Sequence, residues 1–279
     1  MRSLWLRLPR SGLTYNLGKI LTRTILKPET TPTAVNASFA GKYSMSLDLA
    51  NIVCNDIYCM DDHYEATTLA LWRTLAKDAE TILDLGSHVG VFACAAAFAN
   101  PHARVIAVEA FARNASILTK NAAQFPKLKP VHAAIGVTSG RKLFHVSPIT
   151  GGGYVEEESE DALSTPGTRD QTGDSFVVEA VTLSEICTRE GLESVDLMKI
   201  DLEGLERALL TSQEEFWTRW RPRHVLVEIT ISKTQPQNKG EILEVMAKRG
   251  YASRRVEGLY AIPWFQNEDL ANWHFWLDA

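Results

Sequence analysis

The sequence predicts an α/β fold built on one mostly parallel, seven-stranded sheet with helices on both faces. Short apolar runs such as 81–86 and 104–109 have the length and the branched residues of buried strands. They alternate along the chain with segments in which apolar residues recur at helical spacing, such as 64–77. Repeated alternation of this kind implies a parallel sheet that is covered by helices on both sides.

The other elements follow from the same patterns and from the prolines and glycines that interrupt them. Further strands are predicted at residues 131–135, 142–147, 175–181, 195–201, 223–229, 251–256, 260–264 and 275–277. Further helices are predicted at residues 93–99, 111–124, 183–189, 205–217 and 239–249. The glycine-bearing, acidic stretch after strand 142–147 is predicted to be an exposed loop.

The chain has 279 residues, which is enough for one large α/β domain with an appended segment. Residues 1–45 are predicted to be a basic helical segment followed by a linker at about 30–40, and residues 46–279 to be the main domain. We interpret the basic segment as a helix that packs on the domain. A transit peptide or a membrane-surface helix is the alternative.

Composition excludes several classes of protein. The net charge of -5 argues against a nucleic-acid partner, because binding to a phosphate backbone needs a basic excess. No apolar run is long enough for a transmembrane segment. The four cysteines form no CxxC pair, which disfavours a structural zinc site and is typical of a cytoplasmic protein with reduced thiols. The oligomeric state is left open.

Polar residues follow the predicted strands at the end where a parallel sheet binds its ligands. The loop 84–90 comes after the first strand, and its glycines allow a tight turn and a close ligand. Glu109 comes after the second strand, where a carboxylate can accept both hydroxyl hydrogens of a ribose. Lys199 and Asp201 lie at the end of the strand 195–201, and Glu228 lies near the end of the next one.

The spacing of the glycine loop selects the cofactor. A dinucleotide fingerprint reads G-x-G-x-x-G, so that a pyrophosphate can rest on a helix N-terminus. This loop reads D-x-G-x-x-x-G, with His88 in place of a glycine, and Asp84 would repel a pyrophosphate. A cofactor with a sulfonium and an ammonium group would tolerate that acid. The loop therefore favours S-adenosylmethionine over NAD.

With these features, the sequence resembles the FkbM family of methyltransferases. The resemblance rests on the stretches 81–90, 105–111, 131–136 and 196–206, of which the last, DLMKIDLEGLE, is similar to the family's Lys-Ile-Asp-x-Glu-Gly-x-Glu hallmark. Tyr64-Glu65 also fits. Ser87, His88, Ala112 and Val137 depart from the usual pattern, and Val137 leaves the adenine contact undetermined.

The resemblance implies a class I, Rossmann-like methyltransferase domain and methylation of oxygen. The implied acceptor is a hydroxyl on a small molecule, a natural product or a sugar, as in natural-product biosynthesis. The residues implied to bind S-adenosylmethionine are Glu65, Asp84, Gly86, Ser87, His88, Gly90, Glu109, Ala110, Ala134 and Asp201.

Three residues are candidates for the reacting centre. Asp201 could orient the acceptor or take its proton, or it could cap the following helix. Lys199 could stabilise a developing alkoxide or be an ion-paired residue below the site. His88 could act as a base near neutral pH, but a positioning role beside the methionine part of the cofactor is favoured. No metal ligand is assigned, although Glu228 and Asp201 could together bind Mg²⁺, so metal dependence is open.

Two other functions remain at this level. The first is a non-catalytic protein that keeps the fold and binds an adenosyl ligand without turnover. The second, less favoured, is an NAD-dependent oxidoreductase, which would bind NAD more tightly than S-adenosylhomocysteine.

Overall fold

The computed structural model describes residues 33–146, 153–156, 175–230, 239–256 and 270–278. The helices in these ranges are α1 (Ile52–Met60), α2 (Ala66–Ala76), α3 (Val91–Ala99), α4 (Ala112–Ala122), α5 (Leu183–Arg189), α6 (Glu206–Thr211), α7 (Glu214–Arg219) and α8 (Lys239–Lys248), with a 3₁₀ turn at Asp61–His63. The strands are β1 (Ala34–Phe39), β2 (Tyr43–Asp48), β3 (Thr81–Leu85), β4 (Arg104–Glu109), β5 (Leu128–His132), β6 (Ala134–Ile135), β7 (Gly140–Val146), β8 (Gly153–Glu156), β9 (Ser175–Val181), β10 (Leu197–Ile200), β11 (His224–Thr230), β12 (Ala252–Arg255) and β13 (Leu270–Trp276).

Seven of these strands form the central sheet, in the order β12-β13-β11-β10-β3-β4-β5. Strands β11, β10, β3, β4 and β5 pair in parallel, and β13 is inserted antiparallel between β11 and β12. The predicted seven-stranded, mostly parallel sheet is confirmed. β3 is the earliest strand of this sheet along the chain, and the later strands are added on both sides of it. The strand order therefore reverses between β3 and β10, where an open sheet of this kind binds its ligands.

The strands of the sheet bury apolar side chains on both faces. Ile82 of β3 belongs to one core, which contains residues of the helices α1 to α4 and of the strands β1 and β2. Leu83 and Leu85 of the same strand belong to a second core, formed with α5 to α8. The alternation follows from the two-residue period of a strand, and it gives the sheet a helical layer on each side.

The N-terminal part of the described chain is a β-hairpin and not a linker. Residues 34–39 were expected to belong to a linker, but they pair antiparallel with β2. Met45 and Leu47 of β2 are 0% and 2% exposed and join the first core, which is what fixes this segment as a strand. The predicted helix at 1–28 lies outside the described residues, and the domain boundary after residue 45 stays a prediction.

A second sheet of four strands, in the order β6-β9-β7-β8, adjoins the end of β5. The predicted strand 131–135 is wrong as a single element, because the chain changes sheets at Ala133. β5 pairs with β4 of the central sheet, whereas Ala134 and Ile135 pair with β9. The stretch after β7, with glycines at 151–153, was expected to be an exposed loop throughout, but Gly153–Glu156 pair with β7 as β8.

One further prediction needs correction. The single helix expected at 205–217 is broken into α6 and α7, since Ser212 is extended and Gln213 has a left-handed φ of 56°. The strand expected at 260–264 lies outside the described residues, and β12 pairs with β13. Within the residues that the structure describes, no helix is long and apolar enough to cross a bilayer.

Candidate functional site

The loop after β3 fits tightly against the chain that leaves β10. Gly86 has a φ of +78°, and a Cβ atom built on it would lie 1.8 Å from the main-chain oxygen of Asp201. Gly90 has a φ of +92°, and its Cβ would lie 2.6 Å from a methyl carbon of Leu118. Both positions require glycine, because a side chain would meet a left-handed backbone as well as an occupied space.

Glu109, at the end of β4, ties this loop to the neighbouring strand. One carboxylate oxygen accepts a hydrogen bond from the His88 N–H and the other from the Phe111 N–H, each at 2.8 Å. Burial nevertheless raises the pKa of Glu109 to about 7. Each oxygen can accept a second hydrogen bond. The Glu109 carboxylate is therefore suited to the two hydroxyls of a ribose, the group predicted for it.

The charged residues of the site share one face of the central sheet. Asp84 on β3, Lys199 on β10 and Glu228 on β11 alternate with side chains of the second core, so they point towards the first core. Lys199 lies directly opposite Asp84 in the register of the two strands. The strands thus bring together, near their carboxyl ends, the residues that the sequence places far apart.

Lys199 is the cation at the centre of this group and is 2% exposed. Its Nζ donates to Oδ2 of Asp201 at 2.5 Å and lies 4.5 Å from the centre of the Phe92 ring. Burial by itself would lower the pKa of Lys199, but the surrounding carboxylates outweigh it and hold this pKa above its ordinary value. These carboxylates belong to Asp201, Glu65, Asp84 and Glu228.

Asp201 and Glu228 form a pair with opposite pKa shifts. Burial would raise the pKa of Asp201, but Lys199 and a hydrogen bond from Glu228 lower it. The negative charge of Asp201, together with burial and Glu65, raises the pKa of Glu228 well above its ordinary value. The hydrogen bond between them therefore favours the ionised form of Asp201 and the protonated form of Glu228.

Asp84 fits a cationic ligand group. The Ser87 hydroxyl donates to the main-chain oxygen of Asp84, at 2.7 Å, and hydrogen bonds from Ser87 and the Ala93 N–H act on the buried Asp84 carboxylate without offsetting its burial. Burial raises its pKa to about 6, against the attraction of Lys199. A buried carboxylate in this condition gains from an ammonium group, such as the one S-adenosylmethionine carries.

Glu206 holds the loop that follows β10 and is 1% exposed. Its two carboxylate oxygens accept hydrogen bonds from the Leu202 N–H at 2.7 Å and the Gly204 N–H at 2.9 Å. The last acid of the Lys-Ile-Asp-x-Glu-Gly-x-Glu stretch therefore fixes the backbone beside Asp201.

Three further predicted ligand residues are Glu65, Ala110 and Ala134. Glu65 caps the start of α2 with a left-handed φ of 42°, and its carboxylate accepts a hydrogen bond from Asn272 at 3.5 Å. Ala134 is 1% exposed and lies on β6 of the second sheet, in a small apolar cluster that Ala110 also contacts. Their roles in binding a cofactor stay predictions.

Two residues of the site have no counterpart in the sequence analysis. The side-chain Nδ2 of Asn51 lies 3.2 Å from the Nε2 of His88. The ring of Phe92 faces the Nζ of Lys199. Asn51 precedes α1, a helix that was not predicted. The only sequence signal for Asn51 is that asparagine is a favoured residue at the start of a helix. Phe92 belongs to an apolar run in which nothing distinguishes it from core residues.

Solved structures that are similar to this chain include several methyltransferases. An O-methyltransferase from Bacillus cereus in complex with SAH has a TM-score of 0.41 at 12% identity, over 76% of this chain and 78% of that one. Aeropyrum pernix fibrillarin in complex with S-adenosyl-L-methionine has a TM-score of 0.44 at 14% identity, over 75% and 74%. M. jannaschii TYW2 in complex with AdoMet has a TM-score of 0.43 at 11% identity, over 89% and 88%.

No curated protein matches the sequence. The family model described as Methyltransferase FkbM domain matches residues 84–253, more than half of the chain. The matched range contains the glycine loop, Glu109 and the Lys199–Glu206 stretch, which are the residues that carried the resemblance. The chain belongs to the FkbM family and is an S-adenosylmethionine-dependent methyltransferase with a class I, Rossmann-like fold.

Proposed function

We propose that the protein is an O-methyltransferase that transfers a methyl group to a hydroxyl of a small molecule, a natural product or a sugar. The observation that carries the proposal is the Asp201 carboxylate at the carboxyl end of β10, whose Oδ2 accepts a hydrogen bond from the Lys199 Nζ at 2.5 Å. A hydroxyl acceptor must lose its proton as it is methylated, and a positioned carboxylate can take that proton.

The residues of the site would divide the work as follows. Glu109 would accept hydrogen bonds from the ribose hydroxyls, and Asp84 would attract the ammonium group of S-adenosylmethionine. When bound, S-adenosylmethionine supplies an electrophilic methyl group. Asp201 orients the acceptor hydroxyl and takes its proton as the oxygen–carbon bond forms and the carbon–sulfur bond breaks. The products are a methyl ether and S-adenosylhomocysteine. Much of the acceleration in such a displacement can come from alignment alone.

Lys199 and Glu228 both act on Asp201. The Lys199 ammonium at 2.5 Å and a hydrogen bond from Glu228 lower the pKa of the Asp201 carboxyl. This arrangement also bears on the metal. A divalent cation prefers ionised oxygen ligands that are free to bind it, whereas Asp201 is already paired with the Lys199 ammonium at 2.5 Å. We therefore propose turnover without a divalent metal.

The test is the variant Asp201→Asn, assayed with methyl-labelled S-adenosylmethionine on a panel of hydroxylated natural products and sugars. We expect turnover to fall by about 10²–10⁴-fold, because the amide cannot accept the proton, while the affinity for S-adenosylhomocysteine is largely kept. Full activity of the variant would remove Asp201 from the mechanism. Exposed Asp78 provides a matched control, and Asp78→Asn should behave as the wild type.

Two arms of the same assay address the alternatives. A chelator should leave the initial rate unchanged, and a loss that Mg²⁺ restores would contradict the metal-independent proposal. Binding of S-adenosylhomocysteine without any methylated product across the panel would support a non-catalytic binding protein. The oxidoreductase alternative is not supported, since the chain belongs to a methyltransferase family.

The setting of this activity belongs to the same proposal. All four cysteines lie in the described residues and are free thiols, which fits a reducing compartment such as the cytoplasm. We infer a role in natural-product biosynthesis, with a small-molecule or glycan acceptor and no nucleic-acid partner. The resemblance to the family supports the first two of these, and the acidic net charge of -5 supports the last.

A further inference from the structure

The orientation of the Asn51 amide is fixed by the helix that follows it. Its Oδ1 accepts hydrogen bonds from the Val53 N–H at 2.8 Å and from the Cys54 N–H at 3.2 Å, as the capping residue of α1. An amide oxygen that receives two helix N–H groups cannot be exchanged with the amide nitrogen without losing both bonds. The Asn51 Nδ2 is therefore the atom that faces the His88 ring.

This contact determines which nitrogen of His88 carries the proton. The Asn51 Nδ2 lies 3.2 Å from the His88 Nε2, and an amide NH₂ can only donate. Nε2 must therefore accept with its lone pair. In a neutral imidazole the single proton then resides on Nδ1. A doubly protonated ring would oppose two donors across the same 3.2 Å contact.

The surroundings of His88 agree with a neutral ring. Burial lowers its pKa to about 4, although the Asp201 carboxylate acts in the opposite direction. Its main-chain N–H is bound to Glu109 at 2.8 Å and its φ is 52°, so the backbone is held in place as well as the ring. The lone pair that a base would need is engaged by Asn51.

We propose that Asn51 locks His88 in the neutral Nδ1–H tautomer, so that His88 acts as a fixed hydrogen-bond donor and not as a base. Asn51 is then a positioning residue, which acts through His88. The Nδ1 atom is buried and has no hydrogen-bond partner among the described residues. A buried donor is stabilised by an acceptor, and the chemistry that fits is a ligand oxygen. This part of the inference rests on the proposed methyl transfer.

The first test reads the tautomer directly and needs no turnover. ¹⁵N-labelled histidine in the full chain gives distinct nitrogen shifts for the two tautomers, and His88→Asn identifies the His88 signals among the seven histidines. We expect an Nδ1–H pattern that does not titrate near neutral pH. An Nε2–H pattern in the wild type, or an ordinary titration near neutral pH, would overturn the proposal.

Two variants of Asn51 keep the helix cap and change only the contact with His88. Serine and aspartate are both good capping residues, so α1 is retained. Asn51→Asp offers Nε2 an acceptor, and we expect the proton to move to Nε2 and the pKa of His88 to rise. Asn51→Ser removes the donor, and we expect both tautomers to appear. A His88 signal that is unchanged in both variants would contradict the lock.

The second test identifies the oxygen that receives the Nδ1–H bond. The probes are S-adenosylhomocysteine and 5′-methylthioadenosine, which lacks the methionine carboxylate. If His88 donates to that carboxylate, His88→Leu weakens S-adenosylhomocysteine by about tenfold or more and leaves 5′-methylthioadenosine unchanged. If it donates to the acceptor hydroxyl, both affinities hold and kcat/KM falls instead.

His88→Asn distinguishes a donor from a base. An asparagine amide donates but does not titrate, so this variant should keep more activity than His88→Leu if donation is the role. Equal loss in both variants, or no change in any affinity or rate, overturns the donor role. An Nδ1–H tautomer in a protein that binds S-adenosylhomocysteine but transfers no methyl group would refute the proposed function and leave the lock intact.

Discussion

Glu109 illustrates how one residue couples the glycine loop, the ligand and pH. Its carboxylate already receives two main-chain N–H bonds, from His88 and Phe111, and is 6% exposed. Those donors do not offset burial, and the pKa of Glu109 lies at about 7. The ribose hydroxyls would add two more donors to the ionised form, so ligand binding and ionisation of Glu109 should favour each other.

The variant Glu109→Gln tests this coupling through stability. The folded-state pKa of about 7 lies above the ordinary 4.5, so between these values the folded protein holds a proton that the unfolded chain has lost. The wild type should therefore lose stability relative to Glu109→Gln as pH rises through that window, and the difference should level off above about pH 7. Urea unfolding of both proteins on either side of the window measures it. A difference that is independent of pH would contradict the assigned pKa.

The same variant has an expected effect on binding. Because the glutamine amide offers only one acceptor oxygen, S-adenosylhomocysteine should bind it more weakly by about 1–3 kcal/mol at alkaline pH. The wild-type affinity should rise with pH as Glu109 ionises, whereas that of the variant should not rise with it. Calorimetry across the window gives both results, and an unchanged dissociation constant would refute the ribose assignment.

At the residue scale, sequence reasoning located side chains but not their protonation. Asp84, Glu109, Lys199 and Asp201 were expected at one edge of the sheet because parallel strands end together, and the structure brings the last two within 2.5 Å. The opposite pKa shifts of Asp201 and Glu228 depend on distances between different strands, which no local pattern contains. Asn51 was missed for the same reason, since its contact with His88 spans 37 residues.

At the scale of elements, the close packing of β3 against β10 requires a residue without a side chain at position 86, which is Gly86. The end of β3 passes so close to the chain after β10 that a Cβ on Gly86 would lie 1.8 Å from a main-chain oxygen. Main-chain atoms cannot rotate away, so one strand end would have to move. This contact lies at the point where the strand order reverses. Any movement there displaces the glycine loop, which contains His88.

We expect Gly86→Ala to be destabilised by roughly 3 kcal/mol or more and to lose binding of S-adenosylhomocysteine. Gly191 is the matched control, because it also has a positive φ, of +59°, but no atom within 4 Å of a built Cβ. Gly191→Ala should cost only about 1 kcal/mol, from the left-handed backbone. Urea unfolding and calorimetry compare the two variants. Equal behaviour would show that the close approach does not matter.

At the element scale, predictions succeeded where the apolar pattern of a single segment is enough to indicate a buried strand or helix. β4, β9 and α5 have the bounds that the apolar runs predicted. Errors arose where tertiary contacts decide. The hairpin β1–β2 is polar and alternating in sequence but is fixed by burial of Met45 and Leu47. The break between α6 and α7 is stabilised by Gln213, which donates to the Val137 oxygen at 2.5 Å.

At the scale of the whole described structure, the charged residues of the candidate site lie on one face of the central sheet. The hairpin β1–β2 and the glycine loop on that side are joined by Asn121, whose Nδ2 donates to the Val89 oxygen at 2.7 Å and to the Ser46 oxygen at 3.1 Å. Its Oδ1 accepts from the Ser46 N–H at 2.6 Å. The hairpin therefore supports the loop that is predicted to bind the cofactor.

This arrangement predicts how far the N-terminus can be shortened. The first contacts of the hairpin are those of Thr33, whose N–H donates to Asp48 at 3.0 Å and whose oxygen accepts from the Leu49 N–H at 2.9 Å. Deleting residues 1–28 leaves all of these contacts, so the affinity for S-adenosylhomocysteine should stay the same. Deleting residues 1–49 removes β1 and β2 and with them the support of the loop, and it should weaken binding and lower the melting temperature. Calorimetry on both truncations separates the cases: a folded 29–279 chain that fails to bind would mean that the basic segment itself contributes to the site.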